Sequence, residues 1–201
     1  CFQYTPSVLI VRKDSPFKTL QDLVEFAKKN SGVVTIGGTG TWASTHFAYL
    51  LFEKAAGIKL TYIPYAGSGA TKPAILGGHV SAIVGHPTHA VELGDQIRVL
   101  AVCAEERSKA LPNVPTFKEL GYPGVVEGSY RGVAAPPGTP REVVERLANA
   151  FKKINFNPEF QKKMTEMGFD LLWWGPDEYN AEIKKRTEYY KKLLSDFGFK
   201  K

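Results

Sequence analysis

Val34-Thr35-Ile36-Gly37-Gly38-Thr39-Gly40-Thr41-Trp42-Ala43-Ser44-Thr45-His46 is the stretch that decides how this chain folds. An apolar, β-branched run, Val33 to Ile36, predicts a strand. Gly37, Gly38 and Gly40 then predict a tight turn. Phe47, Tyr49, Leu50, Leu51 and Phe52 predict the start of an amphipathic helix. A strand that feeds a Gly-rich turn and then a helix leaves backbone N–H groups without partners at the helix N-terminus. Those groups and the helix dipole favour an anion. Thr39, Thr41 and Ser44 add hydroxyl donors, so the loop is expected to hold a carboxylate or another small oxyanion.

Two other readings compete. Gly38 to Ala43 fits the dinucleotide pattern G-x-G-x-x-G/A, which also needs an acid after the next strand to hold the ribose. That strand, Leu60 to Ile63, is followed by Pro64-Tyr65-Ala66-Gly67-Ser68, with no acid, and Trp42 would crowd a pyrophosphate. A Gly-rich turn with no ligand remains the plain alternative.

Working outward, Ser7 to Arg12 reads as a buried strand. Thr19 reads as an N-cap, with Asp22 three residues on and Leu20, Leu23, Val24 and Ala27 at helical spacing. Gly57 ends the second helix as its C′ residue. Ala70 to Leu76 is a short helix, His79 to Val84 a strand, Gly85-His86-Pro87-Thr88-His89 a loop, and Ile97 to Ala104 another strand. This alternation predicts a parallel, doubly wound sheet, with ligands bound beyond the carboxyl ends of its strands. Residues 107–122 read as irregular, Ser129 to Ala134 as a strand, and Thr139 as a cap with Pro140 in the first helical position. Helices to about Ile154, from Pro158 to Met167 and from Pro176 to Phe197 follow, with a short strand at Asp170 to Trp173.

With 26 basic and 20 acidic residues in 201, the formal charge is +6. The basic residues form no stripe interleaved with aromatics, so no nucleic-acid partner is expected. No apolar run approaches a membrane span. Cys103 reads as a small buried hydrophobe. An enzyme built on the Gly-rich loop as an oxyanion or phosphate site would need a nucleophile and base, a metal set or a phosphate-loop lysine. No G-x-x-x-x-G-K-[ST] is present. His86 and His89 have no Cys or acid cluster to complete a metal site. No metal and no cofactor are expected.

The motifs together resemble one family. Val8-Leu9-Ile10-Val11, Leu20-Gln21-Asp22-Leu23, the loop and helix Gly40 to Phe52, Ile63-Pro64-Tyr65-Ala66-Gly67, Leu76-Gly77-Gly78-His79-Val80, Arg98 to Val102, Leu111-Pro112-Asn113-Val114-Pro115-Thr116 and Ala135-Pro136-Pro137-Gly138-Thr139-Pro140 occur in the same order and spacing as in the extracytoplasmic solute-binding proteins of tripartite tricarboxylate transporters, the Bug or TctC-like family. The resemblance implies an α/β, periplasmic binding protein type II-like fold of two doubly wound lobes. Residues 7–104 would form the second ligand-binding lobe, 105–128 the crossover or hinge, and 129–201 the C-terminal part of a first lobe that is incomplete here. Family members are longer, so the chain would be a fragment or a shortened relative, and Cys1 aligns inside the family's chain. That first lobe is expected to be unstable alone.

The resemblance further implies a periplasmic, monomeric, non-enzymatic protein that captures a small carboxylate for membrane transporter subunits. Thr39, Gly40, Thr41 and Ala43 lie in the loop that resembles the family's carboxylate cradle, and Ser44 and His46 match its Ser and His. His46 either caps the loop or touches ligand. Tyr65, Gly67 and Ser68 match a second wall. Where relatives commonly carry an acid after the fourth strand, this chain has Gly85-His86. Losing that acid removes a partner for an ammonium group, so a di- or tricarboxylate is expected in preference to an amino acid, with His86 facing the ligand.

Overall fold

The computed structural model describes residues 1–198 as two compact units. The larger comprises residues 4–129 and 162–171, and the smaller residues 1–3, 130–161 and 172 onward.

The larger unit is built on five strands: β2 (Val8–Arg12), β3 (Thr35–Gly38), β4 (Thr61–Pro64), β5 (Ala82–Gly85) and β6 (Ile97–Val102), in the order β4-β3-β5-β2-β6. Helices α1 (Leu20–Lys29), α2 (Ser44–Ala56), α3 (Ser68–Leu76) and α4 (Pro87–Leu93) connect them. Both faces of the sheet are covered. Leu9 and Val11 of β2 join Leu20, Leu23, Val34, Ile36 and Phe52 in one core. Val8 and Ile10 join Ala74, Ile75, Ile83 and Ile97 in the other. This two-faced burial is the doubly wound arrangement.

Local signals fixed several elements. Thr19 caps α1, its hydroxyl accepting from the Asp22 N–H at 3.2 Å while the Asp22 carboxylate accepts from the Thr19 N–H at 2.8 Å. Those bonds hold the Asp22 carboxyl below its ordinary pKa. Gly57 takes the left-handed conformation that ends α2, at φ 61°.

Three expectations are corrected. The sheet is mixed: β3 runs parallel to β4 and β5, but β2 is antiparallel to both of its neighbours, β5 and β6. A strand buried on both faces has the same pattern in either direction. The loop at His86 to His89 is the start of α4, with Pro87 at its first turn. Pro140, extended at φ −55° and ψ 138°, is itself the N-cap of the helix Arg141–Asn155, and the Thr139 hydroxyl donates to the Pro136 carbonyl instead. A strand β1 (Gln3–Pro6), absent from the sequence reading, joins β7 (Gly128–Arg131) and β8 (Asp170–Leu171) in a three-stranded sheet ordered β7-β1-β8.

The smaller unit holds α5 (Arg141–Asn155) and α7 (Pro176–Asp196), and helix α6 (Pro158–Glu166) begins in it. Both hydrophobic cores belong to the larger unit. Among the described residues of the smaller unit, only Cys1 and Leu193 are buried apolar side chains. Val143, Leu147, Phe151 and Ile154, one stripe along α5, stay exposed, Leu147 and Ile154 by about half. Leu147 and Phe151 line a largely apolar cleft of about 280 Å³ together with Phe2, Trp174 and Tyr179.

Candidate functional site

Because β3, β4 and β5 point the same way, α2, α3 and α4 all start at one edge of the larger sheet. Two of these starts carry unsatisfied donors. The N-cap of α2 is Ala43, whose side chain has nothing to offer the first turn. Among the described residues the N–H groups of Thr41, Ala43, Ser44 and Thr45 have no acceptor. The N-cap of α3 is Gly67, again without a side-chain cap, and the N–H groups of Gly67, Ser68 and Gly69 are likewise without acceptors. Each such terminus attracts negative charge.

The β3–α2 loop is held rigid by its own side chains. Thr45, fully buried, accepts from the Thr39 N–H at 2.9 Å and pairs with the Thr39 hydroxyl at 3.0 Å. Gly40 turns the chain at φ 90°, and Trp42 sits in the left-handed region at φ 66°. A bulky residue held there signals a conformation imposed by its surroundings. His46 supplies part of that: its Nδ1 accepts from the Trp42 N–H at 3.3 Å, and its ring stacks on Tyr49 at 5.8 Å and lies 4.4 Å from Tyr62. Burial pushes the His46 pKa down, which keeps the ring neutral and able to accept. Capping the loop is the role this geometry displays for His46.

The glycines divide their work. A Cβ on Gly38 would collide with the Tyr62 ring, and one on Gly37 would press on Tyr65 at 3.1 Å. The Tyr62 hydroxyl donates to the Gly40 carbonyl at 2.7 Å, and the Tyr65 N–H donates to the Gly38 carbonyl at 2.8 Å. So the β4–α3 loop is bonded to the β3–α2 loop, which brings Thr39, Gly40 and Tyr65 together, with Gly67 and Ser68 following at the start of α3. The Ser44 hydroxyl lies 3.0 Å from that of Ser129.

His86 stands at the same edge with its ring turned to the backbone: Nδ1 is 3.4 Å from the Pro6 carbonyl. Its own N–H donates to His89 Nδ1 at 3.2 Å. His89 Nε2 lies 3.3 Å from the Thr71 hydroxyl, which donates to the Ser68 carbonyl at 3.0 Å. His89 thereby ties the start of α4 to the first turn of α3. Burial, with the charge of Lys72, lowers its pKa. Among the described residues no three metal-ligating side chains cluster. Residues 37–46, 64–69 and 85–89 contain no Lys, Arg, Asp or Glu, so the donors at this edge are N–H and O–H groups.

Sequence reading missed Thr45, Tyr62 and Ser129. Tyr62 and Ser129 are far along the chain from the loop they touch, and Thr45 reads as an ordinary helical residue.

Comparison with known proteins places the chain. The model of the tripartite tricarboxylate transporter family receptor matches residues 2–199. A Cupriavidus necator protein described as the UPF0065 protein in gbd 5'region is 33% identical over 96% of this chain and 59% of its own length. A structure described as a periplasmic transporter superposes with a TM-score of 0.89 at 27% identity, over 99% of this chain and 67% of the other. The periplasmic binding protein BugD superposes with a TM-score of 0.85 at 28% identity, over 98% and 67%. The chain thus spans about three-fifths of the length of the relatives it matches by sequence. The fold is that of periplasmic binding proteins, and the family is one of periplasmic receptors, not of enzymes. The chain belongs to the tripartite tricarboxylate transporter receptor family, the Bug or TctC family.

Proposed function

We propose that the larger unit is the carboxylate-capturing lobe of a solute receptor, and that residues 130–161 and 172–198, in the smaller unit, belong to the other lobe. One observation carries this reading: two uncapped helix N-termini, those of α2 and α3, open at the ends of adjacent parallel strands with N–H groups that have no acceptor among the described residues. Thr39, Thr41, Ser44 and Ser68 supply hydroxyls around them. Such donors fit a carboxylate oxygen, which accepts several hydrogen bonds at once. A small di- or tricarboxylate is the proposed cargo, delivered to the membrane subunits of a tripartite tricarboxylate-type transporter by a monomeric receptor. An amino acid is disfavoured because Gly85 ends β5 and His86 follows it, where an acid would meet an ammonium group.

Isothermal titration with succinate, malate, adipate and citrate, alongside glutamate and aspartate, tests this reading. The first group should bind and the second should not. Binding of the amino acids alone would reverse the assignment, and binding of neither group would reject the carboxylate cradle.

A further inference from the structure

We propose that Ser129 is a ligand-positioning residue of the carboxylate cradle and acts as one unit with Ser44; this rests on the carboxylate reading above. Ser44 is the first residue of α2, where the unpartnered N–H groups cluster, and its hydroxyl lies 3.0 Å from that of Ser129. Each serine owns one hydroxyl proton. In the pair, one proton is used between the two oxygens and the other remains for a third group. Whichever serine donates to its partner, one O–H is left to meet an anion beside the α2 amides. The shared bond also polarises the remaining proton, which strengthens its donation.

The strand that carries Ser129 is pinned in place. A Cβ on Gly128 would fall 2.5 Å from the Thr5 carbonyl and 2.8 Å from Pro6 Cα, so β7 runs against β1 as closely as a glycine permits. Glu127, immediately before, donates its N–H to the Cys103 carbonyl at 3.0 Å and accepts at its own carbonyl from the Ser7 N–H at 2.8 Å. Its carboxylate accepts from the Gly128 N–H at 2.9 Å. The Ser129 hydroxyl is therefore delivered to α2 from a fixed strand 85 residues away in sequence, a preorganised donor that no motif in the Gly-rich loop reveals.

The test is a double-mutant cycle read by calorimetric titration with whichever of succinate, malate, adipate and citrate binds best. Ser129→Ala and Ser44→Ala should each weaken binding roughly tenfold, the worth of a lost hydrogen bond to a charged group. The double variant should be little weaker than either single one, because removing one hydroxyl already breaks the unit. Ser129→Thr keeps the hydroxyl and should stay within about threefold of wild type. Wild-type affinity in Ser129→Ala, or losses that multiply in the double variant, would overturn the assignment. So would a Ser129→Thr protein that melts like wild type and yet binds as poorly as Ser129→Ala. If the wild-type chain binds none of the four probes, the carboxylate reading falls and this proposal with it. If wild type binds and Ser129→Ala matches it, this proposal alone falls.

Discussion

The ring of Tyr62 occupies the space that a side chain on Gly38 would need, and its hydroxyl donates to the Gly40 carbonyl at 2.7 Å. Tyrosine and glycine are thus one device: the missing Cβ admits the ring, and the ring clamps the loop from the neighbouring strand. Gly38→Ala must displace Tyr62, and overpacking of this kind costs about 1–3 kcal/mol. Gly69, inside α3 with open space around its Cβ position, is the control. Gly69→Ala should be neutral or gain up to about 1 kcal/mol. Urea denaturation of the two variants checks the contrast, and equal stabilities would refute it.

Stability should fall on mild acidification. His46 and His89 both have pKa values below the ordinary 6.5, each mainly through burial. Between the folded pKa and 6.5 the unfolded chain binds more protons than the folded one, so acid favours unfolding. The contribution is complete above 6.5 and is lost as pH falls toward the folded values. His46→Gln retains an acceptor for the Trp42 N–H without a titrating ring. Its melting temperature should therefore decline less than that of wild type between pH 7.5 and pH 5.5. Parallel declines would show that His46 does not titrate on unfolding.

What could be read from sequence was local. The Thr19–Asp22 cap and the Gly57 terminator are decided by residues within one turn of each other, and both occur as expected. The direction of β2 was invisible because Val8 and Ile10 feed one core while Leu9 and Val11 feed the other, a pattern unchanged by reversal. The Gly-rich loop was legible as a strand-to-helix turn, but the reason for Gly37 and Gly38 was not. Their constraint is set by Tyr65 and Tyr62, which arrive a strand later. His86 reads in sequence as a loop residue facing the ligand, whereas in the fold its ring meets the Pro6 carbonyl.

Affinity for a carboxylate should depend little on ionic strength. Residues 37–46 and 64–69 supply no cationic side chain, so attraction comes from N–H and O–H dipoles at short range. Salt screens charges separated by about a Debye length much more than such close contacts. Raising sodium chloride from 50 to 500 mM should weaken binding by no more than about twofold. A tenfold loss would point to a lysine or arginine reaching the ligand.

The two units should also come apart in stability. Every residue of the two hydrophobic cores lies in the larger unit, while the smaller one exposes Val143, Leu147 and Ile154 along α5. Aromatic stacking is part of what orders it: Tyr130 on Trp174 at 5.2 Å, with the Arg186 guanidinium 3.6 Å from the centre of the Tyr130 ring. Such contacts contribute about 1 kcal/mol each, far less than a core. The tryptophans separate the units optically, because Trp173 and Trp174 belong to the smaller and Trp42 to the larger. In a Trp42→Phe protein, tryptophan emission should therefore change at lower urea than far-ultraviolet dichroism, which the larger unit dominates. The smaller unit should also bind an apolar dye before the main transition. Coincident curves from both probes would mean a single cooperative unit, and the bare α5 stripe would then carry no penalty in stability.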